Sequence, residues 1–421
     1  MQPTIDTTTE RTTVTIIGAG QAGLAMSRCL AERSIDHLVI ERGQVANSWR
    51  TERWDSLRLL TPNWMTRLPG HRYAGADPDG YMTGGEVVDF LDGYRATFDP
   101  PVRTGTAVES VESLGQGFRI TTSTGVVWSE AVVIATGACS DPHVPALAAQ
   151  LPTRIQQLTP IGYRNPDQLG EGPALVVGGS ASGVQIADEL RRSGRPVTLA
   201  VGDHVRLPRT YRGMDIHWWM DTIGLLDERH DQMEDIGRAR RLPSLQLVGS
   251  PERRSIDLNA LHRTGVQLVG RFAGLAGSTA QFSGSFANFC AAADLKLGRL
   301  LDTIDAYASE HGLDGELAEP DRPGRTDVPV ADTTLDLAGI HTVVWATGFR
   351  PRYPWLEPDL LDAKGAIVHE GGVMTRPGMY VLGLPFTRRR KSSFLDGVGP
   401  DAAELGAHLA GHLDTLAARA A

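Results

Sequence analysis

The stretch VTIIGAGQAG, residues 14–23, decides the fold. Val14-Thr15-Ile16-Ile17 is a short apolar run of strand-forming residues, and it ends in Gly18-Ala19-Gly20-Gln21-Ala22-Gly23. Leu24 to Arg33 then carries helical rather than alternating apolar spacing, and a second apolar run, His37 to Ile40, closes on Glu41 and Arg42. Strand, glycine turn, helix, strand and acid in that order make a dinucleotide-binding unit. Gly18 permits the tight turn, Gly20 lets a pyrophosphate approach the backbone, Gly23 lets the helix pack on the strand, and Glu41 accepts from a ribose hydroxyl.

Working outward, the same grammar returns in Ala174-Leu175-Val176-Val177 followed by Gly178-Gly179-Ser180-Ala181-Ser182-Gly183, a helix over Val184 to Arg192 and a strand over Pro196 to Val201. Ser180 takes the place of the middle glycine, where its hydroxyl can donate to a phosphate oxygen. Two further segments match each other: Val132 to Ile134 ending in Ala135-Thr136-Gly137, and Val343 to Trp345 ending in Ala346-Thr347-Gly348. The second unit lies between them, so they are read as the places where the chain leaves and re-enters the first domain.

The expected fold is therefore α/β, two Rossmann-like dinucleotide-binding domains with the second inserted into the first. The expected boundaries are 1–165 and 330–421 for the outer domain and 166–329 for the insert.

Composition narrows the function. The 421 residues are 41% hydrophobic, enough for large cores, and 50 acidic against 41 basic side chains give a net charge of -9, which argues against nucleic-acid or anionic-lipid partners. Cys29, Cys139 and Cys290 form no close-spaced pair, and no metal-ligand cluster is visible. The polar first fifteen residues lack the pattern of a secretory signal and no apolar run is long enough to span a bilayer, so a cytoplasmic protein without membrane insertion is expected.

The four motifs in order resemble the two-dinucleotide-binding-domain flavoproteins, and within them the flavin-containing (class B-like) monooxygenases, over nearly the whole chain. Trp49-Arg50 with Trp54-Asp55-Ser56-Leu57-Arg58-Leu59 looks like the family's flavin-approaching loop. Thr61 and then Pro62-Asn63-Trp64 look like the loop facing the reactive edge of the ring, with Asn63 as the catalytic candidate. Pro377 to Gly383, with Gly397-Val398-Gly399-Pro400-Asp401, is similar to the returning flavin segment. The resemblance implies FAD in the first unit and NADPH in the second. It also implies oxygen activation as a C4a-peroxyflavin, with a small organic molecule and molecular oxygen as partners. One departure stands out: Thr159 occupies the place of a family histidine in the run Ile155 to Pro166. A flavin reductase or oxidase without oxygenation, and a redox-sensing flavoprotein, are the alternatives, and assembly as a homodimer is left open.

The nicotinamide coenzyme is contested within the sequence. After the strand ending at Val201 come Asp203, which suits a bare ribose, and Arg206, Arg209 and Arg212, which suit a 2′-phosphate; bidentate arginine binding tips the reading to NADPH. Ile216-His217-Trp218-Trp219-Met220 reads as core, His217 as a packed or surface histidine, and Arg388-Arg389-Arg390-Lys391 as a solvated loop.

Overall fold

The computed structural model describes residues 10–115, 117–329 and 332–420. Most of the polar leader, residues 1–9, and the expected junction at residue 330 lie outside the described residues.

The chain forms two parallel sheets, each built round one glycine motif. β1 (Glu10–Ile17) runs into α1 (Gln21–Ala31) and returns in β2 (His37–Ile40), followed by β3 (Val102–Arg103) and β4 (Gly125–Ile134). The second unit comprises β5 (Gln156–Leu158), β6 (Ala174–Val177), α2 (Ala181–Arg192), β7 (Val197–Ala200), then α3 (Ile216–Thr222), β8 (Gln267–Val269), α4 (Phe286–Glu310) and β9 (Thr342–Trp345). The chain finally rejoins the first sheet through β10 (Met379–Val381) and ends in α5 (Leu395–Ala420).

The parallel part of the first, nine-stranded sheet has the order β10-β4-β1-β2-β3, with a short antiparallel extension beyond β10 and an antiparallel hairpin, Val108–Leu114 and Gly117–Thr122, paired to β4; the second sheet has β8-β7-β6-β9-β5. In both, the motif strand is central. Its four core residues are buried on both faces, which is why they read as an unbroken apolar run rather than an alternating one. Leu24 and Leu30 of α1 pack with Leu405 and Leu409 of α5 over one face of the first sheet. Ile186 and Leu190 of α2 join Leu258 and Leu261 over the second.

Both motif helices begin three residues before the expected start, at Gln21 and Ala181. Apolar spacing becomes visible only from Leu24 and Val184, because the first turn packs a glycine on the strand and carries no large apolar side chain.

Sheet membership corrects the expected domain boundaries. β5 and β9 both hydrogen-bond within the second sheet, so the insert begins before Gln156 and continues through Trp345. The Ala-Thr-Gly segments are indeed adjacent to the crossings. Just beyond them the outgoing and returning linkers pair antiparallel at Pro142 and Phe349, with His143 N–H donating to Gly348 C=O at 2.9 Å and Arg350 N–H donating to Asp141 C=O at 2.9 Å.

The aromatic segment is core, as expected: Ile216, Trp219 and Met220 of α3 are buried against Leu297, Leu301 and Ile304 of α4. His217 is fully buried and lies 2.8 Å from an Arg209 amine. A guanidinium only donates, so Nδ1 of His217 accepts and the ring is neutral; burial lowers its pKa in the same sense. The basic run 388–391 departs from expectation. Its side chains are largely buried, and Lys391, 5% exposed, sits among Asp221, Asp227 and Asp396. Asp221 and Asp227 come from a distant part of the chain, which local charge counting cannot see.

Candidate active site

The first glycine motif opens onto a cavity of about 800 Å³, within the usual range of roughly 300–1,000 Å³ for ligand pockets. Its wall includes Gly18, Gly20, Gln21 and Ala22, then Glu41 and Arg42, and on the far side Ala135, Thr136 and Gly137. Trp49, Arg53, Gly383 and Ser393 complete another stretch.

The three glycines hold distinct positions. Gly18 has φ +108°, and a Cβ there would lie 2.6 Å from the Ala135 carbonyl oxygen. At Gly23 a Cβ would meet the Gly18 oxygen at 1.8 Å, so any side chain would separate helix from strand. At Gly20, by contrast, a Cβ meets nothing within 4 Å. The only thing a side chain at Gly20 would displace is whatever enters the cavity, as a backbone-approach glycine requires. Glu41 is held at the wall by Ala19 N–H to Oε2 (2.9 Å) and Gly43 N–H to Oε1 (2.8 Å). Gln21 Nε2 donates to the Ser393 carbonyl at 2.8 Å, tying the start of α1 to the residues just before α5. Two helix N-termini thus approach one cavity, and their partial positive ends favour an anionic guest.

The second motif repeats this geometry. Gly178 has φ +117° with a hypothetical Cβ 2.2 Å from the Ala346 oxygen, and a Cβ at Gly183 would lie 1.7 Å from the Gly178 oxygen. Each Ala-Thr-Gly turn therefore abuts the first glycine of its own sheet: Ala135-Thr136-Gly137 serves Gly18, and Ala346-Thr347-Gly348 serves Gly178. Ser180 stands at the N-cap of α2 but its hydroxyl caps no backbone N–H, which leaves it available, and Ser182 is half-buried in the first turn. Gln246 Nε2 donates to the Gly179 carbonyl at 2.6 Å and fixes the loop from the side.

Several expected site residues are engaged elsewhere, and the expectations for them are corrected. Arg206 is 3% exposed between Asp257 (2.7 Å) and Asp294 (2.6 Å). Arg209, fully buried, donates to Asp215 at 2.7 Å and to the Leu60 carbonyl at 2.8 Å. Arg212 pairs with Asp305 (3.2 Å) and Asp314 (2.6 Å). All three hold α3 and α4 in place, so none offers a guanidinium to a coenzyme phosphate. In the first domain, Arg50 bonds to Asp92 and to the Val45 carbonyl, and Arg58 donates to the Tyr81 carbonyl at 2.8 Å. Asn63 is 5% exposed and donates to the Asp77 carbonyl at 2.9 Å; its Oδ1 has no partner among the described residues. Thr61 is half-buried in the same loop. Gly397 lets the Lys391 carbonyl pack against α5, where a Cβ would stand at 1.8 Å, and Val398 is core. None of these side chains forms part of the cavity wall.

Asp55 has a positioning role that crosses the domains. Asn165 Nδ2 donates to its carboxylate at 2.6 Å, Asp55 N–H donates to the Arg164 carbonyl at 2.9 Å, and Arg164 Nη1 donates to the Arg53 carbonyl at 2.9 Å. The segment after Thr159 thereby anchors the loop that carries Arg53 to the cavity.

Cys139 was the residue least visible to the sequence reading. It follows the first Ala-Thr-Gly turn by two residues and lies exposed on the cavity wall. Burial pushes the thiol pKa of Cys29 and Cys290 up to about 11, and those two belong to separate cores. The thiols are protonated at neutral pH and are poor nucleophiles. A variant lacking all three cysteines is expected to give the same reaction with a reduced nicotinamide coenzyme as the wild type in stopped-flow absorbance. Selective loss of that reaction in a folded variant would refute this.

Among the described residues no helix is long and apolar enough to cross a membrane, and no group of His, Cys, Asp and Glu could hold a metal ion.

Comparison with known proteins agrees with this architecture. The family described as pyridine nucleotide-disulphide oxidoreductase matches residues 15–217. An uncharacterized CzcO-like oxidoreductase of Geobacillus kaustophilus is 32% identical over 393 residues, covering 92% of this chain and 95% of the relative. A probable indole-3-pyruvate monooxygenase of Arabidopsis thaliana, YUCCA10, is 30% identical over 207 residues, 47% of this chain and 53% of its own. The flavin-containing monooxygenase of Stenotrophomonas maltophilia superposes with TM-score 0.66 at 19% identity, covering 96% of this chain and 99% of that one, and so shares the fold. The chain belongs to the CzcO-like oxidoreductases and has the fold of the two-dinucleotide-binding-domain flavoproteins.

Proposed function

We propose that the chain is an FAD-dependent, NADPH-using monooxygenase that inserts one oxygen atom into a small organic substrate. The observation that carries this reading is the doubled dinucleotide geometry: a cavity with an open Gly20 at one motif, and at the other the same turn with an uncommitted Ser180. When bound, the flavin supplies hydride acceptance and oxygen activation. The chain's residues do the rest. Glu41 fixes a ribose, and the backbone at Gly20 admits the pyrophosphate. The starts of α1 and α5, joined through Gln21 and Ser393, stabilise negative charge in the cavity. Arg164 and Asn165 hold the Arg53 loop against the cavity, which limits water entry beside the reacting centre.

The test is mass spectrometry of products formed by the flavin-loaded protein with NADPH and ¹⁸O₂, against amines, sulfides, ketones and indoles. One labelled oxygen in an organic product is the expected result. Stoichiometric hydrogen peroxide with no labelled product across the panel overturns the proposal in favour of a reductase or oxidase.

A further inference from the structure

We propose that Arg271, assisted by Lys296, selects a 2′-phosphorylated nicotinamide coenzyme in this protein; the inference rests on the coenzyme reading above. In a dinucleotide-binding unit the adenosine ribose lies beyond the end of the strand that follows the motif helix. Here that strand is β7, and its neighbour β8 runs parallel with Ala200 opposite Val269 and Val201 N–H bonded to the Val269 carbonyl at 3.0 Å. Two residues past the last paired position on each strand stand Gly202 and Arg271, side by side by register. A Cβ at Gly202 would lie 3.5 Å from both Cγ and Cδ of Arg271, so the arginine stem runs along the Gly202 backbone at the place where the ribose is expected.

The charges at this corner favour a phosphate. Arg271 is exposed and has neither a side-chain hydrogen bond nor a carboxylate partner among the described residues. It differs in this from Arg206, Arg209 and Arg212, each consumed inside the fold. Asp203, the residue that would suit a bare ribose, is already paired with Lys296 of α4 at 3.4 Å. One acid against two cations leaves the corner net positive, and the N-terminus of α2 adds to the same sign. A planar guanidinium free to form a fork with phosphate is the stronger recognition element for a 2′-phosphate, whereas a 2′-hydroxyl gains little from it.

The experiment measures equilibrium binding, by calorimetry on the flavin-loaded protein, of NADP⁺ against NAD⁺ and of 2′,5′-ADP against 5′-AMP. Wild type is expected to prefer both 2′-phosphorylated ligands. Arg271→Ala is expected to weaken these two by about 10- to 100-fold, the range for losing a charge-assisted hydrogen bond, while changing NAD⁺ and 5′-AMP by less than about twofold. Arg271→Lys should recover part of the loss and Lys296→Met should show a smaller one of the same selectivity. Flavin content and thermal midpoint report that the variants fold. Equal losses for phosphorylated and unphosphorylated ligands, or no loss at all, overturn the assignment of Arg271 while leaving the coenzyme reading intact. Failure of wild type to bind either coenzyme overturns both.

Discussion

Gly20→Glu protein is expected to purify colourless. The position is the one glycine of the first motif at which an added side chain meets no protein atom, because it points into the cavity that the motif, Glu41 and the Ala135–Gly137 turn enclose. A carboxylate there takes the space of a pyrophosphate and repels it. Several charge-assisted hydrogen bonds are lost together, at roughly 1.5–3 kcal/mol each, so flavin affinity should fall by on the order of a hundredfold or more. The rest of the fold has no reason to change, so circular dichroism and the thermal midpoint of the apoprotein should stay near those of wild-type protein stripped of flavin. The matching change in the second unit, Ser180→Glu, should leave the protein yellow and remove nicotinamide binding. Full flavin occupancy in Gly20→Glu, or loss of colour in Ser180→Glu, would show that the two motifs do not have separate guests.

The same glycines show why so much of the fold could be read from the sequence. Gly18, Gly23, Gly178 and Gly183 each face a backbone atom at a distance that no side chain tolerates, so the sequence has a single solution at those points and the motif displays it. The four-residue buried strands are equally legible, being apolar on both faces. The likeness of the two Ala-Thr-Gly segments was visible too, but the assignment of each to its own sheet was not. Strand pairing between β6 and β9, far apart in the chain, leaves no local trace.

Long-range pairing also explains the misread charges. A run such as Arg206, Arg209 and Arg212 has the spacing of an exposed basic patch, yet its acids lie in Asp215, Asp257, Asp294, Asp305 and Asp314, most of them distant. Arg271 stands alone in the sequence, and only the register of β7 with β8 brings it beside Gly202.

The basic run at 388–391 yields the second large effect, on stability. Lys391 Nζ lies 2.9 Å from Asp396, 3.3 Å from Asp221 and 3.2 Å from Asp227, and Asp396 is 1% exposed in the first turn of α5. Arg388 and Arg389 meanwhile hold Glu404, and Arg389 holds Asp401 at 2.6 Å, while Arg390 reaches Glu228. The segment therefore clamps the insert, through residues 221–228, onto the helix whose start faces the cavity at the first glycine motif. Lys391→Met keeps the aliphatic stem but leaves the buried Asp396 with Arg67 in place of two cations, while Asp221 and Asp227 stay partly exposed, so the loss is on the order of 2 kcal/mol, below the cost of breaking a fully buried pair. The expected result is a fall of that size in unfolding free energy by denaturant titration, together with faster flavin release. The acid side adds a separate signature. Burial raises the pKa of Glu404, but its hydrogen bonds and charge contacts with Arg389, Arg229 and Arg388 outweigh this and bring it down to about 2. A depressed carboxylate stabilises the fold fully above its ordinary value, and that contribution is lost as pH falls from there toward 2. Asp401 has the opposite tendency, since burial raises its pKa despite the bonds from Ser392 and Arg389, so it takes up its proton first on the way down. Glu404→Gln should accordingly flatten the loss of stability between about pH 5 and pH 2 and leave the higher range with a constant offset. An unchanged acid slope in Glu404→Gln, or wild-type stability in Lys391→Met, would mean that the clamp contributes nothing beyond its backbone contacts.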